Sequence, residues 1–303
     1  MHVHLIVLLL FGYIVPSYSQ SSIRQPTSTH SLSDLRSQME KMAELAQGRV
    51  GVVATLLETG ESVDVRGDEQ FPMQSVYKMP IGMAVLHLVD QGKLSLTQMV
   101  KVDKHEYVSE RQHSPLRDQQ PNGAEVSVGD LLRYAVSESD GSASDVLLRI
   151  VGGAPVVMDY LRSLGVTGIR VVDTEKAIGQ DNAVQYRNWA TPKQAVALLR
   201  ALQEGRGLSQ NSRTLLLRLM TDTPTGLHRL KGLLPAGTVV AHKTGTSQTI
   251  DGVTAATNDV GLITLPNKKH MAIAVFVTDA KADESTREAV IAKLAQAAWD
   301  YWQ

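Results

Sequence analysis

One apolar run limits what this chain can fold into more than any other feature. Residues 79–89 read MPIGMAVLHLV, so a helix over these residues would be apolar on nearly every side. Such a helix is stable only where protein surrounds it, which predicts a buried central helix rather than a surface helix. With 303 residues, the chain has ample material for one large domain or two tightly packed lobes around that helix.

A serine and a lysine stand at the start of this helix. Ser75 and Lys78 are three residues apart, so a helix places both on one face, beside its free N–H groups and positive dipole end. A desolvated lysine can act as the base that activates a serine hydroxyl. The alternative is an N-cap serine followed by a solvated lysine, and these two residues alone do not exclude it.

Composition excludes several classes of protein. The formal net charge is -1 and no long basic or acidic run occurs, which argues against nucleic acid or an anionic membrane as the main partner. The absence of cysteine excludes disulfides, thiolate metal sites and a cysteine nucleophile. The nine histidines are scattered and form no metal-ligand spacing, so we expect no metal and no other cofactor.

The N-terminus has the pattern of a secretory signal. Residues 5–15 are almost wholly apolar but too short to span a bilayer, and Ser17 and Ser19 occupy the positions that a signal peptidase reads. We therefore expect a signal peptide over residues 1–19, a flexible lead-in over residues 20–30, and a secreted, periplasmic chain with no membrane association after cleavage. A retained N-terminal anchor is the alternative, which the interrupting Gly12 and Pro16 disfavour.

Both ends of the remaining chain predict strands and a helix. Ser31 and Asp34 form a capping pair for a first helix, and Ser285 and Glu288 are the expected capping pair of the last one. Strand-like runs occupy residues 50–57, 62–65, 238–243, 260–264 and 271–278, the first two as a hairpin.

The middle of the chain is mostly helical in pattern, and we therefore predict an α/β fold of the α+β sandwich type. An antiparallel sheet flanked by helices is built from both termini, with an all-helical lobe inserted and a cleft between the lobes. The single domain would span residues 31–303. Its α/β lobe would cover about 31–70 and 225–303, and its helical lobe about 71–224.

Three further stretches could place chemistry in that cleft. Ser139 begins a Ser-Asp-Gly connection between two helical patterns, where a hydroxyl could pass a proton or where the residues form only a capped turn. Lys243 begins a Lys-Thr-Gly-Thr-Ser run on a strand, which suits a carboxylate or is an edge strand protected by charge. Residues 171–190 contain Glu175 and lack periodicity, and so long a loop is usually functional or disordered.

The ordered set of motifs resembles the class A serine β-lactamases. The family pattern is S-x-x-K, S-D-N, a loop glutamate and K-T-G, and here it reads Ser75-Val76-Tyr77-Lys78, Ser139-Asp140-Gly141, Glu175 and Lys243-Thr244-Gly245. The resemblance covers essentially the whole mature chain. The segments 185–189, 233–237 and 255–259 are most similar to the extended-spectrum, PER-like branch.

The resemblance implies catalytic roles for Ser75, Lys78, Glu175 and Ser139. Ser75 would attack the lactam carbonyl and become acylated, with its own N–H and that of Thr246 as the oxyanion hole. Lys78 and Glu175 are both candidate bases for acylation, and Glu175 would then activate the water that hydrolyses the acyl-enzyme. Ser139 would relay a proton to the leaving nitrogen.

The same resemblance assigns the other residues of the site to the relay and to substrate binding. Lys243 would assist the relay through Ser139. Arg229, shortly before the Lys243 strand, stands where some members carry an arginine that binds the substrate carboxylate, although it could also be an ordinary exposed arginine. The remaining substrate contacts would be Thr244, Gly245, Thr246 and Ser247.

Three positions depart from the family pattern. Gly141 replaces the asparagine of S-D-N, and we expect it to remove bulk from one wall and admit large cephalosporin side chains. Gly179 replaces an asparagine that often helps to hold the hydrolytic water, so this water would rest on Glu175 and backbone groups, and carbapenems would deacylate slowly. Asn188 replaces an aspartate that commonly pairs with an arginine, so the loop must be held by other contacts.

The expected function is hydrolysis of penicillins and cephalosporins by a monomeric enzyme, giving antibiotic resistance. One alternative is a penicillin-binding D,D-peptidase, which shares the fold but lacks the loop glutamate. Another is a secreted sensor that is acylated without turnover. Glu175 is the residue that discriminates against the peptidase, and a colour assay of turnover would discriminate against the sensor.

Overall fold

The computed structural model describes Met1 and residues 31–303. The expected signal peptide and lead-in, apart from Met1, lie outside the described residues. The strands, in chain order, are β1 (Arg49–Leu56), β2 (Ser62–Val65), β3 (Phe71–Pro72), β4 (Met99–Val102), β5 (Ala124–Ser127), β6 (Ile169–Arg170), β7 (Trp189–Ala190), β8 (Val240–Thr246), β9 (Thr249–Ile250), β10 (Val253–Thr254), β11 (Thr257–Thr264) and β12 (His270–Thr278). The α-helices are α1 (Leu32–Glu44), α2 (Lys78–Asp90), α3 (Pro115–Gln119), α4 (Val128–Leu132), α5 (Gly141–Ile150), α6 (Ala154–Ser163), α7 (Glu175–Ile178), α8 (Pro192–Gln203), α9 (Gln210–Thr221) and α10 (Glu284–Trp302).

The largest sheet joins strands from both ends of the described segment, as predicted. Its order is β2-β1-β12-β11-β8, and all neighbouring strands are antiparallel. Along β12, Ile273 and Val275 belong to the core shared with α1 and α10, while Ala274 and Phe276 belong to the core on the opposite face. Because both faces of the sheet are covered, its central strand is a continuous apolar run.

Helix α2 is buried as its apolar sequence predicts. Every residue from Lys78 to Leu86 is buried, and α2 packs against α5, α6 and α9. Burial of each large apolar side chain stabilises the fold by about 1.5–3 kcal/mol. The start of α2, which carries Lys78 and directly follows the turn with Ser75, is therefore anchored in the core rather than on a flexible surface.

The inserted segment is mostly but not wholly helical. Two small sheets, β3-β7-β6 and β4-β5, lie within it, so the expectation of an all-helical lobe was too simple. Residues 171–190 contain α7 and a 3₁₀ turn, Asn182–Tyr186. Elements of four or five residues are too short to produce a recognisable periodicity in sequence.

The helix caps were predicted correctly at one end of the chain and wrongly at the other. Ser31 and Asp34 form a capping box at α1. The capping residue of α10 is Asp283, whose carboxylate accepts the N–H of Thr286 at 2.7 Å, rather than Ser285. The helix begins earlier than expected, and this leaves Glu288 free to pair with Arg229.

Among residues 31–303, no single helix is long and apolar enough to cross a bilayer. Helices α5 and α6 meet the length and composition requirement only as a pair, with a bend of 76° between them.

Candidate active site

A 3₁₀ turn, Gln74–Tyr77, carries Ser75 directly ahead of α2. Gln74 has a φ of 46°, a left-handed conformation that is strained for a residue with a side chain. The amide of Asn258 on β11 donates to the main-chain oxygen of Met73 at 3.1 Å and holds the entry to this turn. Ser75 is thus presented on strained backbone that neighbouring strands keep in place.

The ammonium of Lys78 connects the predicted catalytic residues. Its Nζ lies 2.9 Å from Ser75 Oγ, 2.7 Å from the main-chain oxygen of Ser139 and 3.0 Å from Glu175 Oε1. The side chain is only 2% exposed, so its charge is balanced by these contacts rather than by water. Ser75 Oγ also donates to Glu175 Oε1 at 3.3 Å, and the serine therefore lies within reach of both candidate bases.

Ser139 and Lys243 meet on the other side of Lys78. Ser139 has a φ of 60°, a second strained position at this site. Lys243 Nζ donates to Ser139 Oγ at 2.9 Å, which leaves the proton of this hydroxyl free to be donated elsewhere. Complete burial and the nearby charge of Lys78 hold the pKa of Lys243 well below its usual range.

Strand β8 forms one wall of the cavity and passes very close to the Ser75 turn. A Cβ on Gly245 would lie 2.3 Å from the main-chain oxygen of Met73, so only glycine permits this approach. Thr244 Oγ1 lies 2.8 Å from Thr225 Oγ1. The Ser247 hydroxyl accepts the N–H of Ala256 at 2.8 Å and is thereby tied to β11's entry.

Arg229 is buried, 4% exposed, rather than an ordinary surface arginine. Its guanidinium donates to Glu288 Oε1 at 2.9 Å, to the main-chain oxygen of Asn258 at 3.0 Å and to Thr246 Oγ1 at 2.8 Å. Most of the guanidinium N–H groups that were expected to bind the substrate carboxylate are therefore bonded to protein groups. Thr246 is the hydroxyl through which Arg229 can act on a bound molecule.

A cavity of about 600 Å³ collects most of the predicted residues. Those that line it are Ser75, Lys78, Ser139, Glu175, Gly179, Arg229, Thr244, Gly245, Thr246 and Ser247. Lys243 and Gly141 are buried and, in the part of the chain that the structure describes, are not among the lining residues.

Asp145 on α5 fixes the main chain of Glu175, and sequence analysis missed it. Its carboxylate accepts the N–H of Glu175 at 2.7 Å and that of Lys176 at 2.9 Å, at the start of α7. Burial raises the pKa of Asp145 to about 7, and the charge of Glu175 acts in the same direction. The only hint in sequence was an acidic residue within the otherwise small or apolar run 142–148.

Asn188 holds the rest of the loop through neutral hydrogen bonds. This residue is fully buried, and its Oδ1 accepts the N–H of Val172 at 2.8 Å and of Asp173 at 2.9 Å, while its Nδ2 donates to the main-chain oxygen of Asp173 at 2.9 Å. The neutral amide thus supplies both acceptor and donor to the loop backbone. These hydrogen bonds are the other contacts that the loop requires because Asn188 stands in place of the usual aspartate.

Gly141 has close neighbours on several sides. A Cβ there would lie 3.3 Å from Val108 Cγ1 and 3.4 Å from both Glu175 Cβ and the main-chain oxygen of His113. Within the described residues Gly141 is buried and does not line the cavity, so easier entry of large cephalosporin side chains stays a prediction.

The surroundings of Gly179 are also not as predicted. A Cβ at this position would lie 2.1 Å from Oε1 of Gln112, a residue that sequence analysis did not identify. A glutamine amide from a distant loop is therefore present where only backbone groups were expected. No local pattern marks Gln112, because its importance comes from a contact with residues more than 60 positions away.

This geometry can activate a serine and move protons around it. A hydroxyl contacts a lysine and a glutamate, and a second serine contacts a lysine with a lowered pKa. Such an arrangement suits acyl transfer through a covalent intermediate.

Comparisons with known proteins agree with this chemistry. The model of the β-lactamase enzyme family matches residues 34–302. The extended-spectrum β-lactamase PER-1 of Pseudomonas aeruginosa is 42% identical over 267 residues, which are 88% of this chain and 87% of that relative. The solved structure of a β-lactamase from Chitinophaga pinensis matches with a TM-score of 0.86 and 43% identity, over 88% of this chain and 98% of its own. A class A β-lactamase structure from Bacteroides cellulosilyticus matches with a TM-score of 0.82 and 32% identity, over 88% and 96%.

Proposed function

The chain belongs to the class A serine β-lactamases of the β-lactamase enzyme family, and from that premise we propose that it hydrolyses penicillins and cephalosporins through an acyl-enzyme on Ser75. The resulting loss of active drug gives antibiotic resistance. The observation that carries the proposal is the contact of one serine hydroxyl with both Lys78 and Glu175 at the edge of a cavity.

In the acylation step, Ser75 Oγ attacks the lactam carbonyl as its proton leaves. All three ammonium hydrogens of Lys78 are engaged in the observed contacts, so Glu175 is the carboxylate ready to accept this proton. Lys78 can accept it instead after losing its own proton to Glu175, 3.0 Å away. The close approach of β8 to the Ser75 turn supports an oxyanion hole formed by the N–H groups of Ser75 and Thr246.

Ring opening requires a proton on the departing nitrogen. Ser139 supplies it, since Lys243 donates to Ser139 Oγ and leaves the serine proton available. The lowered pKa of Lys243 makes replacement of that proton easy. Removal of a proton-transfer element of this kind costs roughly two to four orders of magnitude in rate.

Deacylation distinguishes this proposal from the peptidase and sensor alternatives. Glu175 activates the water that attacks the ester, and its carboxylate is within 3.3 Å of Ser75 Oγ. A D,D-peptidase or an acylated sensor has no such base at this point and keeps its acyl group. The position of Glu175 therefore supports turnover.

Substrate binding uses the wall that β8 provides. The cavity is lined by Thr244, Gly245, Thr246 and Ser247. The positively charged guanidinium of Arg229 donates to the Thr246 hydroxyl. This arrangement suits the carboxylate common to penicillins and cephalosporins. The similarity to extended-spectrum enzymes supports oxyimino-cephalosporins as substrates.

We further propose that residues 31–303 are the whole catalytic domain, with lobes at about 31–70 with 225–303 and about 71–224. Residues 1–19 act as a signal peptide cleaved after Ser19. The mature protein works as a monomer in the periplasm.

Turnover of a chromogenic cephalosporin by the purified protein tests the function. The wild-type protein should convert many equivalents, and Ser75→Ala, which removes one partly exposed hydroxyl, should fold normally and convert none. Colour limited to one equivalent, with a stable adduct by intact mass spectrometry, would instead identify a peptidase or sensor.

A further inference from the structure

Gly179 lies against the side chain of Gln112, from a loop on another part of the cavity wall. The backbone of Gly179 has φ -73° and ψ -13°, which any residue adopts. A Cβ there would lie 2.1 Å from Gln112 Oε1 and 2.6 Å from its Nε2. The backbone conformation therefore allows a side chain at position 179, but that side chain would displace the Gln112 amide from the space it takes.

The Gln112 amide is fixed at both of its ends. Its Nε2 donates to the main-chain oxygen of Glu175 at 2.5 Å. Its Oε1 accepts from Ser109, from the main-chain N–H at 3.2 Å and from the hydroxyl at 3.0 Å. Because a carbonyl oxygen only accepts, the nitrogen end of the amide must face Glu175.

The loop that carries Gln112 is itself braced. The guanidinium of Arg117 on α3 donates to the main-chain oxygens of Ser109 at 2.5 Å and Gln112 at 3.0 Å. The main-chain oxygen of His113 accepts the N–H of Gly141 at the start of α5. A side chain on a loop held in this way is pre-organised, so its contact with Glu175 costs little entropy to form.

We propose that Gln112 is a positioning residue for deacylation, which acts through the main chain of Glu175 and depends on Gly179 for room. The inference rests on the proposed function. Asp145 holds the N–H of Glu175 from one side, and Gln112 holds its carbonyl oxygen from the other. With both peptide groups of Glu175 restrained, the direction of its carboxylate toward Ser75 is set by one side chain from helix α5 and one from the loop that carries Gln112.

Two variants at position 112 separate this role from simple loop support. Gln112→Ala removes the amide. Gln112→Glu keeps an acceptor for Ser109 but cannot donate to the carbonyl of Glu175, and it adds a negative charge beside that residue. Gln119→Ala is the matched control, because Gln119 is an exposed glutamine that contacts the Tyr134 hydroxyl at 2.8 Å.

Rapid-quench mass spectrometry with a penicillin measures formation and loss of the Ser75 adduct separately. In Gln112→Ala the deacylation rate constant should fall about tenfold, as the loss of one hydrogen bond of ordinary strength predicts, while acylation changes less than about twofold. Gln112→Glu should show at least the same loss of deacylation rate. Its deacylation pH profile should also move to higher pH, since a second negative charge favours a protonated Glu175. Gln119→Ala should match the wild type.

A double variant tests the pairing with Gly179. Gly179→Asn alone should displace Gln112, lower the melting temperature and slow deacylation at least as much as Gln112→Ala. Combining the two substitutions removes the clash, so the melting temperature should recover and deacylation should be no slower than in Gln112→Ala. Wild-type deacylation in both Gln112 variants, or equal losses in acylation and deacylation, would overturn the inference. Failure of the proposed function would look different, because the wild-type protein would then either form no Ser75 adduct or keep that adduct without turnover.

Discussion

Replacement of Asn188 by alanine tests how the loop that carries Glu175 is held. The substitution removes three hydrogen bonds to the buried loop backbone, at 2.8–2.9 Å, and leaves two N–H groups and one carbonyl oxygen without this partner. Each buried backbone group left unpaired costs about 1–3 kcal/mol. Since the loop borders a cavity from which water can replace some of these bonds, we expect a total loss of about 3–5 kcal/mol.

Thermal unfolding gives the first measurement of this effect. For a domain of this size, 1 kcal/mol corresponds to about 2–4 °C, so the melting temperature of Asn188→Ala should fall by roughly 6–20 °C. The loosened loop should also misplace Glu175, so deacylation should slow more than acylation in a quench experiment with a penicillin.

Asn267→Ala provides a control with similar chemistry in a different environment. The Asn267 amide also bonds two backbone groups, at 3.0 and 3.1 Å, but this residue is exposed in the turn between β11 and β12. Water can replace its contacts, and its melting temperature should change by less than about 2 °C. Equal shifts in the two variants, or a shift under about 2 °C in Asn188→Ala, would refute the view that the buried amide holds the loop.

Three other predictions follow from the site. Glu175→Ala should acylate measurably but more slowly, because one of the two candidate bases is lost, and should not deacylate, because the attacking water loses its base. Intact mass spectrometry after addition of a penicillin should find a persistent adduct, and rapid return of free enzyme would exclude Glu175 as the deacylation base. Arg229→Ala should raise KM more than it lowers kcat. Adding Thr246→Ala should change KM little further, because Arg229 acts through the Thr246 hydroxyl. Independent, additive effects of the two substitutions on KM would contradict this coupling. Asp145→Asn should alter the pH dependence of stability. The pKa of Asp145 is about 7 in the folded protein against an ordinary 3.8, so between these pH values the folded protein binds a proton that the unfolded chain lacks. The free energy of unfolding of the wild type should therefore fall with rising pH by about 1.4 kcal/mol per unit over that range. Unfolding curves at several pH values should show a shallower slope for the variant, and parallel slopes would count against this assignment.

Much of the fold and of the candidate site could be predicted because the relevant signals are local. The apolar run of α2 identifies a buried helix, and β12 and its neighbours are recognisable as apolar runs of strand length. The spacing of Ser75 and Lys78 gives their contact directly, since a helical turn brings residues three apart together. Glu175 was identified from family resemblance and from the length of its loop, although the short helix that carries it was not.

The sequence by itself determined the longer helices and strands, the sheet-forming ends and the candidate site residues, because periodicity and motif order are properties of the chain alone. Only the tertiary structure decided how those side chains are held. Asp145 reaches Glu175 across 30 positions, Gln112 reaches it across 63, and Asn258 contacts Met73 across 185. A single hydrogen bond between such distant residues leaves no periodic trace in sequence. Gly179 illustrates the same limit, because its place in the sequence does not show which neighbour packs beside it, and here that neighbour is the Gln112 amide.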